Sequence, residues 1–309
     1  MDEASLGALL ASTLRLATPL VLCALAGLFS ERSGVVDIGL EGKMLFAAFA
    51  AGAVGAVSGS TSVALLAAMG VAVLLSWMHG LACVSYPGDQ VVSGVAINII
   101  AAGLTAVLGI AWFHQGGQTP PVSDAVRIQA VFPSMADSAL FGHNALVYLS
   151  LALVPVVWWG VYRTRFGLRL RAVGENPAMV DAAGISVAGL RWRAVLLAGV
   201  LCGIGGAFLT LAQNASFTPG MSAGRGFMAL AAMVFGHWHP VRALGACLLF
   251  GLLDAVAIRL QGVVIPGLGA VPVELIQALP YLFTVVLLAG FLGRAEAPRA
   301  LGRPFSKAR

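Results

Sequence analysis

The sequence holds few charged residues: Asp, Glu, Lys and Arg together make up 10 % of its 309 residues, whereas about 25 % is usual in soluble domains. Apolar residues fill 59 % of the chain, and the mean hydropathy is +0.93. This composition excludes a disordered chain, a coiled coil and an ordinary soluble enzyme, because a soluble fold of this length would leave too much apolar surface in water. A lipid bilayer is the solvent that suits such a chain.

Motifs of catalysis and metal binding are also scarce. The chain contains no Gly-x-x-x-x-Gly-Lys-Ser/Thr loop for nucleotide phosphates and no His-Glu-x-x-His pair. Its four cysteines lie in apolar runs without a short spacing, which argues against a metal cluster and against a disulfide framework. We therefore expect a protein that is not an enzyme, with no catalytic residues, no metal site and no cofactor bound by this chain.

Uncharged stretches of about 20 residues predict membrane-spanning helices. Residues 16–30 form the first span, which follows an acidic start and is expected to be retained rather than cleaved as a basic signal peptide. Residues 44–88 are long enough for two spans, with a polar break at 58–62. The remaining spans are expected at 90–113, 145–162, 194–212, 226–235, 243–260 and 275–292. The fold class is therefore all-α, with about nine membrane helices (eight to ten) in a single domain over residues 1–309.

Arginine distribution predicts which ends of these spans face the cytoplasm. Six arginines lie in residues 163–193 and five basic residues lie in 294–309, whereas residues 114–144 carry only Arg127. The basic clusters flank apolar spans, so they indicate cytoplasmic segments rather than a surface for nucleic acid. Alternation then places residues 31–43 inside, and the N-terminus, 213–225 and 261–274 outside.

Two segments share a pattern of small and apolar residues at a constant offset of 184. The matching pairs are Gly42 and Gly226, Met44 and Met228, Ala47 and Ala231, Ala48 and Ala232, and Gly52 and Gly236. The predicted sidedness puts the first segment at the inner face and the second at the outer face, as an inverted repeat for alternating access requires. Recurrence of small residues through helix packing alone is the other explanation.

The inner loop 163–193 is too polar to span the membrane and too long for a turn. Asn176 followed by Pro177 is typical of a helix start, and Gly184 of the cap at a helix end. Residues 177–184 therefore predict a short helix on the inner face. Such a helix either contacts a cytosolic partner or lies on lipid headgroups.

Four segments carry a resemblance to a known family. Residues 171–185 look like the coupling loop of bacterial ABC-importer permeases, and residues 30–44, 224–236 and 250–261 are similar to segments of the ribose/branched-chain-amino-acid permease family. The motifs at 31–34 (Glu-Arg-Ser-Gly) and 39–42 (Gly-Leu-Glu-Gly) resemble its nucleoside branch. One departure is Lys43, a charge at an apolar position, which we expect to snorkel to the inner surface.

The resemblance implies a multi-pass subunit of the bacterial cytoplasmic (inner) membrane that moves nucleosides, purine or pyrimidine, by alternating access. Its expected partners are a cytosolic ABC ATPase, which uses the ATP, a second and different permease, and an external nucleoside-binding lipoprotein. The residues expected to couple to the ATPase are Gly174, Glu175, Asn176, Pro177, Asp181 and Gly184.

Polar residues within or beside the apolar spans are candidates for the substrate pathway. A nucleoside is polar, neutral and flat, so its path should offer hydrogen-bonding groups and apolar walls rather than many charges. The candidates are Glu41, Asn98, Asn214, Phe217, Arg225 and Asp254. Asp254, a charge in the middle of a predicted span, is either functional or the structural partner of another polar group.

Three other functions remain open at this point. The same importer could carry a monosaccharide such as ribose. An ion-coupled transporter would need several buried carboxylates or histidines, and only Asp254 qualifies. A membrane enzyme would need an acid–base pair, for which the sequence offers no candidate.

Overall fold

The computed structural model describes residues 3–132, 141–261 and 296–305, together with 264–265, 269–270, 278 and 282. The last predicted span, 275–292, therefore lies almost wholly outside the described residues. What is described is helical apart from loops and one short antiparallel hairpin, β1 (Val264–Ile265) with β2 (Gly269–Ala270). The all-α class predicted from the sequence is confirmed.

Seven helices within the described residues are long and apolar enough to cross a membrane. They are α1 (Glu3–Arg32), α2 (Leu40–Ser58), α3 (Thr61–Gly80), α4 (Gln90–Phe113), α5 (Ala145–Arg163), α8 (Val187–Phe208) and α10 (Pro240–Leu260). Single π-helical turns, Leu81–Ser85 and Leu209–Gln213, extend α3 and α8. Each of these helices matches a predicted span, because the apolar thickness of the bilayer sets a minimum length that the sequence displays directly.

Three helices are shorter: α6 (Arg165–Glu175), α7 (Pro177–Ala182) and α9 (Arg225–Phe235). The prediction of a full spanning helix at 226–235 is wrong, because the 11 residues of α9 extend about 16 Å, roughly half of the apolar core of a bilayer. The segment 214–224, which is not helical, completes this crossing. The chain still passes from one end of the molecule to the other between residues 213 and 237.

Close packing of α1, α2, α3 and α8 forms the centre of the molecule. Glycines let these helices approach each other: a Cβ at position 203 would lie 2.6 Å from Met69 Cα, and one at position 206 would clash with the Met44 carbonyl. Small residues at such crossings are typical of helix packing in membranes, where close contact replaces the hydrophobic effect between helices. By contrast, α4 exposes most of its apolar side chains.

The connecting segments gather at two opposite ends. At the inner end, the Arg32 guanidinium donates to the Trp238 carbonyl, and the amide of Ala300 donates to the carbonyl of Gly174. At the outer end, the amide of Val122 donates to the carbonyl of Ala215. Parts of the three segments predicted to be cytoplasmic, 31–43, 163–193 and 294–309, thus contact one another at one end. Parts of two segments predicted to be external, 114–144 and 213–225, contact each other at the other end.

Candidate functional site

The first turns of α2 and α9 meet inside the molecule. Glu41, in the first turn of α2, accepts hydrogen bonds from the amides of Gly224 at 2.9 Å and Gly226 at 2.6 Å. A Cβ at position 226 would lie 2.5 Å from the backbone of Glu41, so the contact requires glycine there. The carboxylate thereby satisfies amides that a helix start leaves free, and its charge faces the positive end of the α9 dipole.

This contact corrects the position expected for the two similar segments. They were expected at opposite faces, whereas the structure places their starts side by side. From this point α2 runs to the outer end, where Gly52 contacts Thr119 and Phe217. In contrast, α9 runs to the inner end, where Trp238 contacts Glu31 and the Arg32 side chain. The two helices are therefore inverted relative to one another, and non-helical segments reach both starts, as in transporters with interrupted helices.

Asn98 on α4 fixes the start of α2. Its Oδ1 accepts the amide of Gly42 at 2.8 Å, and its Nδ2 donates to the carbonyl of Ile38 at 3.1 Å. A Cβ at position 42 would lie 2.8 Å from the backbone of Asn98. Asn98 therefore holds three elements together: α4, the segment 33–39 and the first turn of α2.

A cavity of about 450 Å³ lies at this junction. Glu41 and Asn98 line it together with backbone of the 220–224 loop, and its apolar walls come from Leu45, Val95, Ile99, Ala102 and Phe227. This size is typical of a small-molecule site. The apolar walls can pack against a flat apolar face of a ligand. The Glu41 carboxylate can accept hydrogen bonds from hydroxyl or amine groups and would repel a phosphate.

The other predicted pathway residues lie elsewhere. Arg225 begins α9, and its charge acts on the Asp254 carboxylate of α10, so Asp254 has an electrostatic partner. Phe217 was expected at the outer mouth, but it is fully buried and packs edge-on against Phe49 with ring centroids 5.2 Å apart. Asn214 is exposed at the outer end. The structure thus brings Glu41 and Asn98 together at the cavity and separates them from Phe217 and Asn214.

Lys43 does not snorkel to the inner surface, and that prediction is wrong. Its ammonium is fully buried and lies 2.8 Å and 2.6 Å from the two carboxylate oxygens of Asp37. Burial raises the pKa of Asp37, but Lys43, followed by His79, more than offsets this, and the net pKa lies below the usual value. The only sequence signal for this pair was two opposite charges six residues apart around a helix start.

The six residues expected to contact an ATPase lie at the inner end around α7. Asn176 Oδ1 accepts the amide of Met179 at 3.2 Å, Pro177 is the first helical residue, and Gly184 follows the helix at φ +77°. The short helix is therefore confirmed. Its neighbours Glu175, Asn176 and Gly184 are exposed, and the Met179 side chain is 69 % exposed. Asp181 is half-buried.

Gly174 differs from the other five because it is buried. A Cβ at this position would clash with the carbonyl of Arg32 and would touch Pro298. Its own carbonyl accepts the amide of Ala300 at 2.8 Å. Gly174 is therefore a packing residue beneath the surface that α7 presents.

The loop before α9 contains a pattern known from hydrolases. Residues 220–224 read Gly-Met-Ser-Ala-Gly, the Gly-x-Ser-x-Gly spacing in which a strand-to-helix turn exposes a nucleophilic serine. Here the loop follows the π-helical turn Leu209–Gln213, and Ser222 is buried. The strand-to-helix turn and the exposed serine of that pattern are therefore not found at this loop.

Comparison with known proteins gives matches over nearly the whole chain. Residues 9–292 match the model of a family described as branched-chain amino acid transport system / permease component. The chain is 39 % identical to the nucleoside ABC transporter permease NupC of Lactococcus lactis over 97 % of both chains. It is 39 % identical to the guanosine ABC transporter permease NupQ of Bacillus subtilis, over 96 % of this chain and 95 % of NupQ. A putative glucose ABC transporter permease of Haloferax volcanii, TsgC13, is 36 % identical over 94 % of this chain and 93 % of its own.

All three of these organisms also hold a second, more distant relative; in Haloferax volcanii it is the glucose ABC transporter permease TsgB13, 26 % identical over 87 % of this chain and 74 % of TsgB13. The guanosine permease NupP of Bacillus subtilis is 28 % identical over 78 % of this chain and 71 % of NupP. The nucleoside permease NupB of Lactococcus lactis is 23 % identical over 93 % of this chain and 81 % of NupB.

Proposed function

Because the chain belongs to the family of permease components of branched-chain amino acid transport systems, we propose that it moves nucleosides, purine or pyrimidine, across the cytoplasmic membrane by alternating access. It is the transmembrane subunit of an ATP-driven importer and has no ATPase site of its own. The observation that carries the choice of cargo is the 39 % identity, over nearly full length, to permeases named for nucleosides and for guanosine.

The cavity between α2, α4 and α9 supports a neutral cargo. Its apolar walls suit a flat base, and the Glu41 carboxylate that lines it offers acceptor oxygens for hydroxyl groups. A fixed carboxylate there disfavours nucleotides, since a phosphate would meet a like charge at low dielectric. We propose that Glu41 and Asn98 line the substrate pathway. Arg225 and Asp254 do not line the cavity, and we propose that they support the start of α9 next to the pathway.

The α7 surface is the proposed docking site of the cytosolic ATPase. Glu175, Asn176, Met179 and Gly184 are all exposed within or beside this helix. A rigid, capped helix is suited to transmit a displacement from one protein to another. The alternative of a helix resting on lipid headgroups is less well supported, because α7 carries no Lys or Arg for anionic lipid.

A second, different permease is the proposed neighbour on the open side of the cavity. Ile99 is 67 % exposed and Phe227 is 47 % exposed beside the Glu41 carboxylate. A polar passage open to lipid would be costly, and a partner subunit closes it. The pairs NupC with NupB and NupQ with NupP, each from a single organism, support two unlike permeases in one importer. An external nucleoside-binding lipoprotein then delivers cargo at the outer end.

Uptake by the complete complex tests the cargo. Proteoliposomes that hold both permeases, the ATPase and the lipoprotein are given ATP and labelled adenosine, uridine or ribose. We expect ATP-dependent uptake of nucleosides and no competition by free ribose. Ribose uptake without nucleoside uptake would overturn the assignment in favour of a monosaccharide importer. The similarity to TsgC13, a putative glucose permease, is the comparison that favours this alternative. A complex with an inactive ATPase is the control.

A further inference from the structure

Arg191, in the first turns of α8, is a buried arginine held by backbone. Its side chain is 1 % exposed. Its Nε donates to the carbonyl of Ser33 and its Nη1 to the carbonyl of Arg303, each at 3.2 Å. Within the described ranges it forms no ion pair with a carboxylate. Burial of a guanidinium is costly, and the two backbone carbonyls are the groups that offset this cost.

The two carbonyls belong to segments that also bind each other. We call residues 298–303 the C-terminal strap. The amide of Ala300 donates to the carbonyl of Gly174, and the amide of Gly302 donates to the carbonyl of Gly34 at 3.1 Å. Gly34 has φ +86°, and a Cβ there would lie 3.0 Å from Arg191 Nη2. Backbone contacts therefore join the end of α6, the strap and the segment 33–39 around one guanidinium.

On one side, Arg191 belongs to the same packed unit as α7. Val173 of α6, Val180 of α7, and Val187 and Leu190 of α8 form a separate hydrophobic cluster, against which Phe305 packs. Since interdigitated side chains resist deformation, a displacement of α7 carries the first turns of α8 with it. Arg191 is adjacent to Leu190 and moves as part of this unit.

On the other side, the segment that Arg191 holds leads to the cavity. The amide of Val36 donates to Gln90 Oε1 at 2.7 Å, and Asp37 is paired with Lys43. Four residues after Asp37, Glu41 caps the start of α9. The path from Ser33 to α9 therefore consists of covalent backbone from Ser33 to Glu41 and the two hydrogen bonds that Glu41 accepts from the start of α9.

We propose that Arg191 is a positioning residue that transmits displacement of α7 to the segment 33–39, and through Glu41 to the start of α9. The proposal rests on the ATP-driven transport proposed above. It assigns no contact with cargo or ATP to Arg191. Its role is to make the inner end and the cavity move together, which a purely structural buried arginine would not do.

The test measures nucleoside uptake and ATP hydrolysis in the same proteoliposomes with the complete complex. Arg191→Met keeps much of the volume and removes both hydrogen bonds. We expect the variant to assemble and hydrolyse ATP, while nucleosides moved per ATP fall by about tenfold, the range of measured coupling effects. Arg193→Met, an exposed neighbour on the same helix, is the matched control and should keep the wild-type ratio. An unchanged ratio in Arg191→Met, with both activities lowered in step with the amount of complex, would overturn the proposal.

Arg191→Lys covers the case in which Arg191→Met does not assemble. Lysine keeps the charge but cannot span two carbonyls with a planar fork, so we expect a ratio about threefold below wild type; a wild-type ratio would refute the role. Uptake by the wild-type complex shows whether the cargo assignment is correct, independently of the role of Arg191. If it moves ribose instead of nucleosides, the cargo assignment fails, and the Arg191 ratios are measured with ribose.

Discussion

The starts of α2 and α9 carry the same small-residue pattern and differ in what holds them. At α2, the supporting groups are polar side chains: Asn98 of α4 binds the amide of Gly42, and Lys43 is paired with Asp37 of the preceding segment. At α9, the first amides depend on Glu41, a residue of the other segment. The first start is thus fixed by its own surroundings, and the second start is fixed by the first.

The ends of the two helices differ as well. In α2 the pattern's last glycine, Gly52, lies within a helix that continues to Ser58. In α9 the equivalent Gly236 ends the helix, and His237 and Trp238 follow with φ of 53°. Such left-handed residues terminate a helix. The shared sequence pattern therefore coincides with the starts of both helices, whereas the length of each helix depends on the residues that follow the pattern.

The largest effect is expected from the charged support of α2. Lys43→Met leaves the Asp37 carboxylate buried without its cation, and we expect a loss of about 4 kcal/mol of stability at neutral pH. In the wild type, the lowered pKa of Asp37 means that the pair stabilises the fold at neutral pH and loses this effect only as the pH falls through that lowered pKa. In Lys43→Met the pKa of Asp37 should rise, since burial then acts alone.

The difference in melting temperature between wild type and Lys43→Met should therefore shrink as the pH is lowered from about 8 to about 5, because the variant's carboxyl becomes neutral. Thermal unfolding in detergent measures this directly. The double variant Lys43→Met/Asp37→Leu removes both charges and should regain most of the loss. A deficit that is independent of pH and is not regained would show that the pair does not support α2.

The next effect concerns the contact between the two starts. Gly226→Ala places a methyl group 2.5 Å from the backbone of Glu41, and overpacking of this kind costs about 3 kcal/mol. Alanine has a higher helix propensity than glycine, so a loss of stability in Gly226→Ala could not come from helix propensity and would indicate a steric clash. Gly245→Ala in α10, where a Cβ meets nothing within 4 Å, is the control and should be neutral or stabilising. Equal melting temperatures for the two variants would contradict the close approach.

A smaller effect is expected when the cap of α9 is removed. Glu41→Ala leaves the amides of Gly224 and Gly226 without their acceptor, a loss of about 2 kcal/mol. Glu41→Gln keeps one acceptor oxygen and should lose about half as much. Because α2 has its own supports, hydrogen exchange should increase at the start of α9 and not at the start of α2. Equal increases in exchange at both starts would mean that the start of α2 also depends on its contact with α9.

Much of this fold follows from the sequence, because the bilayer imposes a simple rule on helix length. The apolar runs identified α1 to α5, α8 and α10, and the arginine clusters identified the two ends. The half-length of α9 was not recognised, although its apolar run of ten residues was already too short to span. What ends α9, the left-handed residues His237 and Trp238, is a backbone conformation that residue type alone does not predict.

The site was only partly predictable. Glu41 and Asn98 are polar residues in apolar surroundings, where exposure to lipid is costly, so their position inside the molecule could be inferred. The position of Phe217 along the chain predicts that it lies near the outer end of the substrate pathway. Its depth in the membrane does not determine the direction of the side chain, which points into the core. The pairing of Lys43 with Asp37 depends on how the segment 33–39 folds back on α2, which the spacing of the two charges alone does not determine.

The smallest effect is expected from Asn98, which supports the start of α2 from outside it. Asn98→Leu removes the acceptor for the amide of Gly42 and the donor to the carbonyl of Ile38, a loss of about 1 kcal/mol. The Lys43–Asp37 pair remains, so α2 should still begin at the same residue. Nucleoside uptake should slow by several-fold without a change in which nucleoside is preferred, since Asn98 uses its amide on backbone. Ala102→Leu, on the same wall of the cavity, controls for added bulk. A change of preference in Asn98→Leu alone would mean that Asn98 contacts the cargo directly.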